Sequence, residues 1–164
     1  MTDVLPQTKH LIEGAIKQKL KSLPTRPFYM TWFENLEVTS AVQYSPTQSK
    51  VSFRFAVHPE YLNPGKTLAG AAQTLFHDVC TMYCLGPLAR EPDFWCSHGT
   101  SRSFNVNLLR PAREGDVLTM ECETVSVGKR LALLRGVLKK EDGSVVSTCE
   151  HELYNVDADK GNKL

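Results

Sequence analysis

Residues 68–85, LAGAAQTLFHDVCTMYCL, contain no Lys, Arg, Glu or Pro. Leu68, Ala69, Ala71, Ala72, Leu75, Phe76, Val79, Cys80, Met82, Tyr83 and Leu85 fall at nearly every angle of a helical wheel. A helix that is apolar all round is buried. At 1.5 Å per residue this one is about 27 Å long, enough to raise the question of a membrane span. Gln73, His77 and Asp78 near its middle oppose one, because charge at mid-bilayer is costly. The stretch is expected to be the core helix of a soluble domain with no membrane partner. A carboxylate in such a helix needs a partner or a chemical task, which makes Asp78 the first candidate functional residue.

The flanking sequence supplies what such a helix packs against. Pro6 opens an amphipathic helix in which Leu11, Ile12, Ala15, Ile16, Leu20 and Leu23 share a face, and Pro24 and Pro27 close it. Leu36, Val38, Ala41 and Val42 mark a first strand, residues 45–48 a turn, and Val51, Phe53, Phe55 and Val57 a half-buried second strand. A loop over residues 58–66, marked by Asn63-Pro64-Gly65, leads into the central helix, and a second loop over 86–93 leaves it. In the next strand Ser101, Ser103, Asn105 and Asn107 alternate with Arg102, Phe104, Val106 and Leu108. Three more strands follow over 117–127, 131–139 and 145–154, joined by turns at Gly128-Lys129 and Asp142-Gly143. The polar tail from Asp157 is expected to fray. The implied fold class is α+β, an antiparallel sheet of about six strands wrapped around one long helix. The expected divisions are an N-terminal helix and linker over 1–27, one domain over 28–156, and a tail over 157–164.

A chain of 164 residues is long enough for one domain with a real core. Its net charge of +1 gives no electrostatic case for nucleic acid or an acidic membrane surface. The five cysteines form no CxxC, and the first residues lack a signal-peptide pattern. Reduced thiols in the cytoplasm are expected, or in the mitochondrion if the basic first helix acts as a transit segment.

Asn63 through Asp78, NPGKTLAGAAQTLFHD, followed by Ser101 on the next strand and Arg110-Pro111 beyond it, resembles the PaaI-like hotdog-fold acyl-CoA thioesterases. The VGKRLA hairpin looks like that family's GKTLA segment. The resemblance spans residues 35 to 155. It implies the hotdog fold, hydrolysis of an acyl thioester carried on coenzyme A or an acyl-carrier protein, no cofactor other than coenzyme A as part of the substrate, and homodimers that pair into homotetramers. Asp78 takes the place of the base or nucleophile, Gly70 of the oxyanion donor through its N–H, Asn63 of the group that holds water or carbonyl, and Ser101 of the water-orienting hydroxyl. The family's histidine falls on Ala69 and its second glycine on Ala71. Lys129, Arg130, Arg110 and Arg113, with Arg102, are candidates for the phosphates of coenzyme A.

Helix geometry adds a constraint. Gly70 and Asp78 are eight positions apart, or about 12 Å along one helix. A single thioester carbon cannot lie near both, so if both act they come from different subunits, which implies a homodimer with sites at its interface. Other readings stay open. Asp78 can be a carboxylate bonded to Thr74 or Thr81, Gly70 a packing glycine and Asn63 a turn residue. His77 points about 100° away from Asp78 and is expected to pack. His98 precedes Ser101 and is a weaker candidate; Cys96 and His98 with Cys149 and His151 fit no usual metal spacing, and no metal is expected. A non-catalytic hotdog protein that binds an acyl ligand or a partner is the alternative function, motivated by Ala69. A dehydratase, which needs a His with a carboxylate, ranks last.

Overall fold

The computed structural model describes residues 1–22, 25, 27–97 and 99–159. Leu23 and Pro24 of the first helix, His98, and the tail beyond residue 159 lie outside the described residues. In chain order the elements are β1 (Thr2–Asp3), α1 (Leu5–Ser22), α2 (Met30–Glu34), β2 (Glu37–Ser45), β3 (Gln48–Ala56), α3 (Gly70–Met82), β4 (Thr100–Leu108), β5 (Val117–Val127), β6 (Leu131–Lys140) and β7 (Val145–Tyr154). All the strands form one antiparallel sheet in the order β1-β2-β3-β5-β6-β7-β4. Six are the strands expected; β1 is a two-residue addition at the β2 edge. The sheet curls around α3 in the hotdog arrangement. No helix among the described residues is long and apolar enough to cross a membrane.

Alternation drives the curl. Val51, Phe53 and Phe55 of β3 and Leu118, Met120 and Cys122 of β5 all point inward and are buried. Their solvent face carries an ion-pair ladder, in which Glu121 accepts from both Lys50 and Lys139 at 3.0 Å. Phe76 of α3 sits at the centre of the core. Its ring stacks on Trp32 at 4.2 Å between centroids and meets Phe55 and Tyr61 edge-on at 5.2 and 5.4 Å. Trp32 belongs to α2, a short helix that no periodicity announces, because its aromatic residues are held by tertiary contacts. The Tyr61 hydroxyl fixes it by accepting from Trp32 N at 3.0 Å and donating to Phe28 O at 2.9 Å.

Four expectations change. The helix of 68–85 is α-helical only from Gly70 to Met82 and continues as a tight turn over Tyr83–Leu88, so the first residues of the expected 86–93 loop are helical. It is not covered all round: Ala71, Thr74, Leu75, Asp78 and Met82 form a partly open stripe along one side. The chain after β7 is anchored rather than frayed at Asp157, whose buried carboxylate accepts from Ser97 N at 2.7 Å and Ser97 Oγ at 2.6 Å. In β4 a bulge between Ser101 and Ser103 inserts Arg102 as an extra residue. Strict alternation puts Ser101 with Ser103 and Asn105 on the outer face; the bulge turns it to the inner face, opposite buried Leu153.

Truncation of Phe76 to alanine removes the shared member of three ring contacts. It is expected to cost about 3–5 kcal/mol, measured as a drop in the urea midpoint at constant slope. A loss under about 1 kcal/mol would contradict the central place given to this ring.

Candidate active site

Asp78 lies on the open stripe of α3, with its side chain 37% exposed. Ser101 Oγ donates to Asp78 Oδ1 at 2.8 Å, the contact that the β4 bulge makes possible. His151 Nε2 lies 3.6 Å from the same oxygen. Neither neighbouring threonine takes the carboxylate: Thr74 Oγ1 donates to Gly70 O at 2.9 Å, and Thr81 Oγ1 to His77 O at 2.7 Å.

His151 was visible in the sequence only as half of an improbable metal pair. In the fold it is completely buried on the inner face of β7, and its ring meets Phe104 edge-on at 4.6 Å. Its Nδ1 is 2.8 Å from Thr81 Oγ1. The single Thr81 hydroxyl hydrogen is engaged by His77 O, so the network assigns the donated hydrogen to His151 Nδ1. Nε2 then carries a lone pair facing Asp78 and has no hydrogen-bond partner. Burial lowers the His151 pKa, partly opposed by the Asp78 charge. The arrangement is a carboxylate with one oxygen steadied by a hydroxyl and a neutral imidazole acceptor beside it. Such a group can take a proton from water and share it. A signal for His151 existed only in its inward parity on β7; nothing in one dimension brings it to α3.

The other candidates are placed apart from Asp78. Asn63 closes its own turn: its Oδ1 accepts from Thr67 N at 3.2 Å and its Nδ2 donates to Thr67 Oγ1 at 3.0 Å. Gly70 is the first residue of α3, after Ala69, whose side chain makes no cap. The first-turn N–H groups therefore have no intrahelical acceptor and lie at the positive end of the helix dipole. A Cβ on Gly70 would come within 2.6 Å of Leu108 Cδ1, so the packing reading also holds. His77 packs, as expected: it is fully buried and its Nε2 lies 2.9 Å from Ser147 Oγ.

The basic candidates divide between the two ends of the β5–β6 hairpin. Arg110 and Arg113 lie beside the loop that feeds α3, with Arg110 donating to Val145 O at 2.9 Å and Thr67 bridging to Arg113. Lys129 and Arg130 lie at the opposite end, where they contact Asp93 at 2.8 Å and the Tyr154 hydroxyl at 3.2 Å. Arg102 reaches Glu152 at 3.6 Å on the outer face. One chain therefore gathers no single phosphate cluster from these residues. Among the described residues no group of three or more His, Cys, Asp or Glu is arranged to hold a metal. Burial raises the Cys80 and Cys122 thiols well above their ordinary value and Cys149 to about 12, the opposite of an activated nucleophile.

Residues 65–147, just over half of the chain, match the model of the thioesterase superfamily. The chain belongs to that superfamily. No curated protein matches it in sequence. Among solved structures it is similar to mouse thioesterase superfamily member 2, at 16% identity and a TM-score of 0.69, covering 94% of this chain and 98% of that one. It is similar to the PaaI protein of the E. coli phenylacetic acid degradation operon, at 12% identity and a TM-score of 0.68, covering 93% and 96%. A hypothetical thioesterase protein of Streptococcus pneumoniae with coenzyme A aligns at 18% identity and a TM-score of 0.65, covering 76% and 90%. At these identities the likeness is one of fold, and it bears out the PaaI-like hotdog resemblance.

The buried imidazoles set a pH dependence of stability. Burial lowers His77 to about 4, whereas an unfolded histidine titrates near 6.5. Between those values the unfolded chain binds a proton that folded His77 refuses, so stability is present above about pH 6.5 and lost on acidification toward pH 4. The loss from His77 alone is of the order of 3 kcal/mol. Urea unfolding across this range is expected to show it, and His77→Gln to flatten the slope. A variant as steep as the parent would count against a neutral buried His77.

Proposed function

We propose that the protein hydrolyses an acyl thioester, with Asp78 as general base toward water. The carrying observation is the Ser101–Asp78–His151 arrangement on the open stripe of a helix in a thioesterase-superfamily fold. Water bound at Asp78 attacks the thioester carbon and gives up its proton toward the carboxylate. Ser101 holds Asp78 Oδ1 and keeps the other oxygen turned to the water. His151 Nε2, beside the carboxylate, provides the next acceptor. The free acid and the thiol are the products.

The oxyanion that forms on the carbonyl needs donors about 3 Å away. The uncapped first turn of α3, beginning at Gly70, is suited to it, but lies about 12 Å along the helix from Asp78. A second copy therefore supplies that helix end. The partly open apolar stripe of Ala71, Leu75 and Met82 beside Asp78, and the free edge of β4, favour such a homodimer. The division of basic residues is consistent with it, since antiparallel copies bring Arg110 and Arg113 of one toward Lys129 and Arg130 of the other. Asn63 is assigned to the same helix end as a positioning group for the carbonyl. The fold relative that holds coenzyme A supports that carrier, with an acyl-carrier protein as the other form of substrate.

The test is release of free thiol from short, medium, long and aromatic acyl-CoAs, with the oligomeric state measured by light scattering. Asp78→Asn is expected to lower kcat by about 10²–10⁴-fold with the fold intact. Full activity in that variant would remove Asp78 as base. A stable, active monomer would contradict the shared site. No turnover on any acyl-CoA or acyl-carrier thioester, with a retained acyl ligand, would favour the binding function that Ala69 motivates.

A further inference from the structure

Gly136 in the middle of β6 lies directly beneath His77 and Thr81 of α3. A Cβ there would lie 2.7 Å from His77 Nδ1, 3.1 Å from Thr81 Cγ2 and 3.4 Å from His77 Cε1. Contacts under 3.0 Å force something to shift, and these neighbours have little freedom to do so. His77 and Thr81 are both fully buried and one helical turn apart on the same ridge of α3. His77 Nε2 is tied to Ser147 Oγ at 2.9 Å, and Thr81 Oγ1 to His151 Nδ1 at 2.8 Å and His77 O at 2.7 Å. The atom nearest Gly136 belongs to a ring, not to the tip of a flexible chain. Gly70 is the contrasting case, because its close neighbour is the end of half-exposed Leu108, which can turn away.

The two hydrogen bonds straddle Gly136. Ser147 and His151 flank Cys149 on the inner face of β7, and Cys149 is the cross-strand partner of Gly136. The missing side chain is thus the space into which the polar ridge of α3 descends to reach β7. Asp78 follows His77 directly in the helix, so the depth of His77 sets the height of Asp78 above Ser101 and His151. No turn or unusual backbone calls for this glycine: it is paired on both sides, and its φ is not in the left-handed range. A mid-strand glycine is otherwise a liability, since it loses more backbone freedom on folding than alanine.

We propose that Gly136 is a positioning residue for the acid site. By leaving its Cβ volume to His77 and Thr81, it seats α3 at the depth at which Asp78 meets Ser101 and His151 meets Thr81. The catalytic part of this inference rests on the hydrolytic role of Asp78; the seating part does not. A misplacement of about 1 Å at a reacting group can cost about 10²-fold in rate, so a single methyl at this point is enough to be read in turnover.

The experiment compares Gly136→Ala, His77→Ala and the double variant by thermal melting, by ¹⁵N NMR of the His151 ring, and by thiol release. At an unobstructed strand position alanine raises Tm. Here Gly136→Ala is expected to lower Tm, to move the His151 ring resonances as the Thr81 bond is disturbed, and to lower kcat about tenfold or more with KM within about twofold. His77→Ala removes the obstructing ring. The double variant should then be more stable than the sum of the two single effects and should recover the parental His151 resonances. A Tm at or above the parent overturns the close fit. Unchanged His151 resonances and kcat in a folded Gly136→Ala overturn the positioning role. If Gly136→Ala fails to fold, the pair decides: a folded double variant with parental His151 resonances upholds the seating, and one that also fails overturns it. A parent that releases no thiol rejects the hydrolytic reading instead, while Tm and NMR still decide the seating.

Discussion

The structure depends on one requirement: His77 and Thr81 on the buried ridge of α3 need partners inside the sheet. Unpaired polar groups in an apolar interior cost more than most single contacts return. His77 and Thr81 lie one helical turn apart and each reaches β7, His77 Nε2 at Ser147 Oγ and Thr81 Oγ1 at His151 Nδ1, while Gln73, a turn earlier, donates through Nε2 to Leu68 O just before the helix at 3.2 Å. The partners on β7 are themselves spaced at strand parity, so helix and strand are registered against each other by chemistry and not by apolar packing alone. On the other side of the same helix, the aromatic cluster of Phe76, Trp32, Phe55 and Tyr61 supplies non-directional burial.

This division explains how an acidic residue can stand in the centre of a domain. Asp78 falls between the two buried faces, on the stripe that one chain leaves partly open. It therefore keeps contact with solvent while Ser101 and His151 hold it from the sheet side. The serine is delivered by an irregularity, a bulge in an edge strand, and the imidazole by the next strand in. The partly open stripe of α3 and the edge of β4 are the surfaces on which the proposed second copy would complete the site.

Membership of the thioesterase superfamily rests on the segment from the loop before α3 into β7, while the solved structures share the fold at low identity. Ala69, onto which the resemblance places a histidine, is the N-cap of α3, at the far end of the helix from the acid, and His151 of β7 lies beside Asp78.

Much of this was legible in one dimension because it follows from local periodicity. The run around Phe76, free of Lys, Arg, Glu and Pro, reads as a core helix, the alternation from Val51 to Phe55 as a half-buried strand, and Asp142-Gly143 as a hairpin. The spacing from Asn63 to Asp78 carried the family. The rest needed contacts between residues far apart in sequence. Ser101 reaches Asp78 because an extra residue breaks the alternation that the sequence displays. His151 and Asp78 are separated in sequence by three strands, β4 to β6, and meet only when β7 lies beneath α3. Periodicity therefore settled which residues are inside. The sheet's register and the absent side chain of Gly136 decided how deep the helix sits and which groups surround its acid, because those depend on where two surfaces touch.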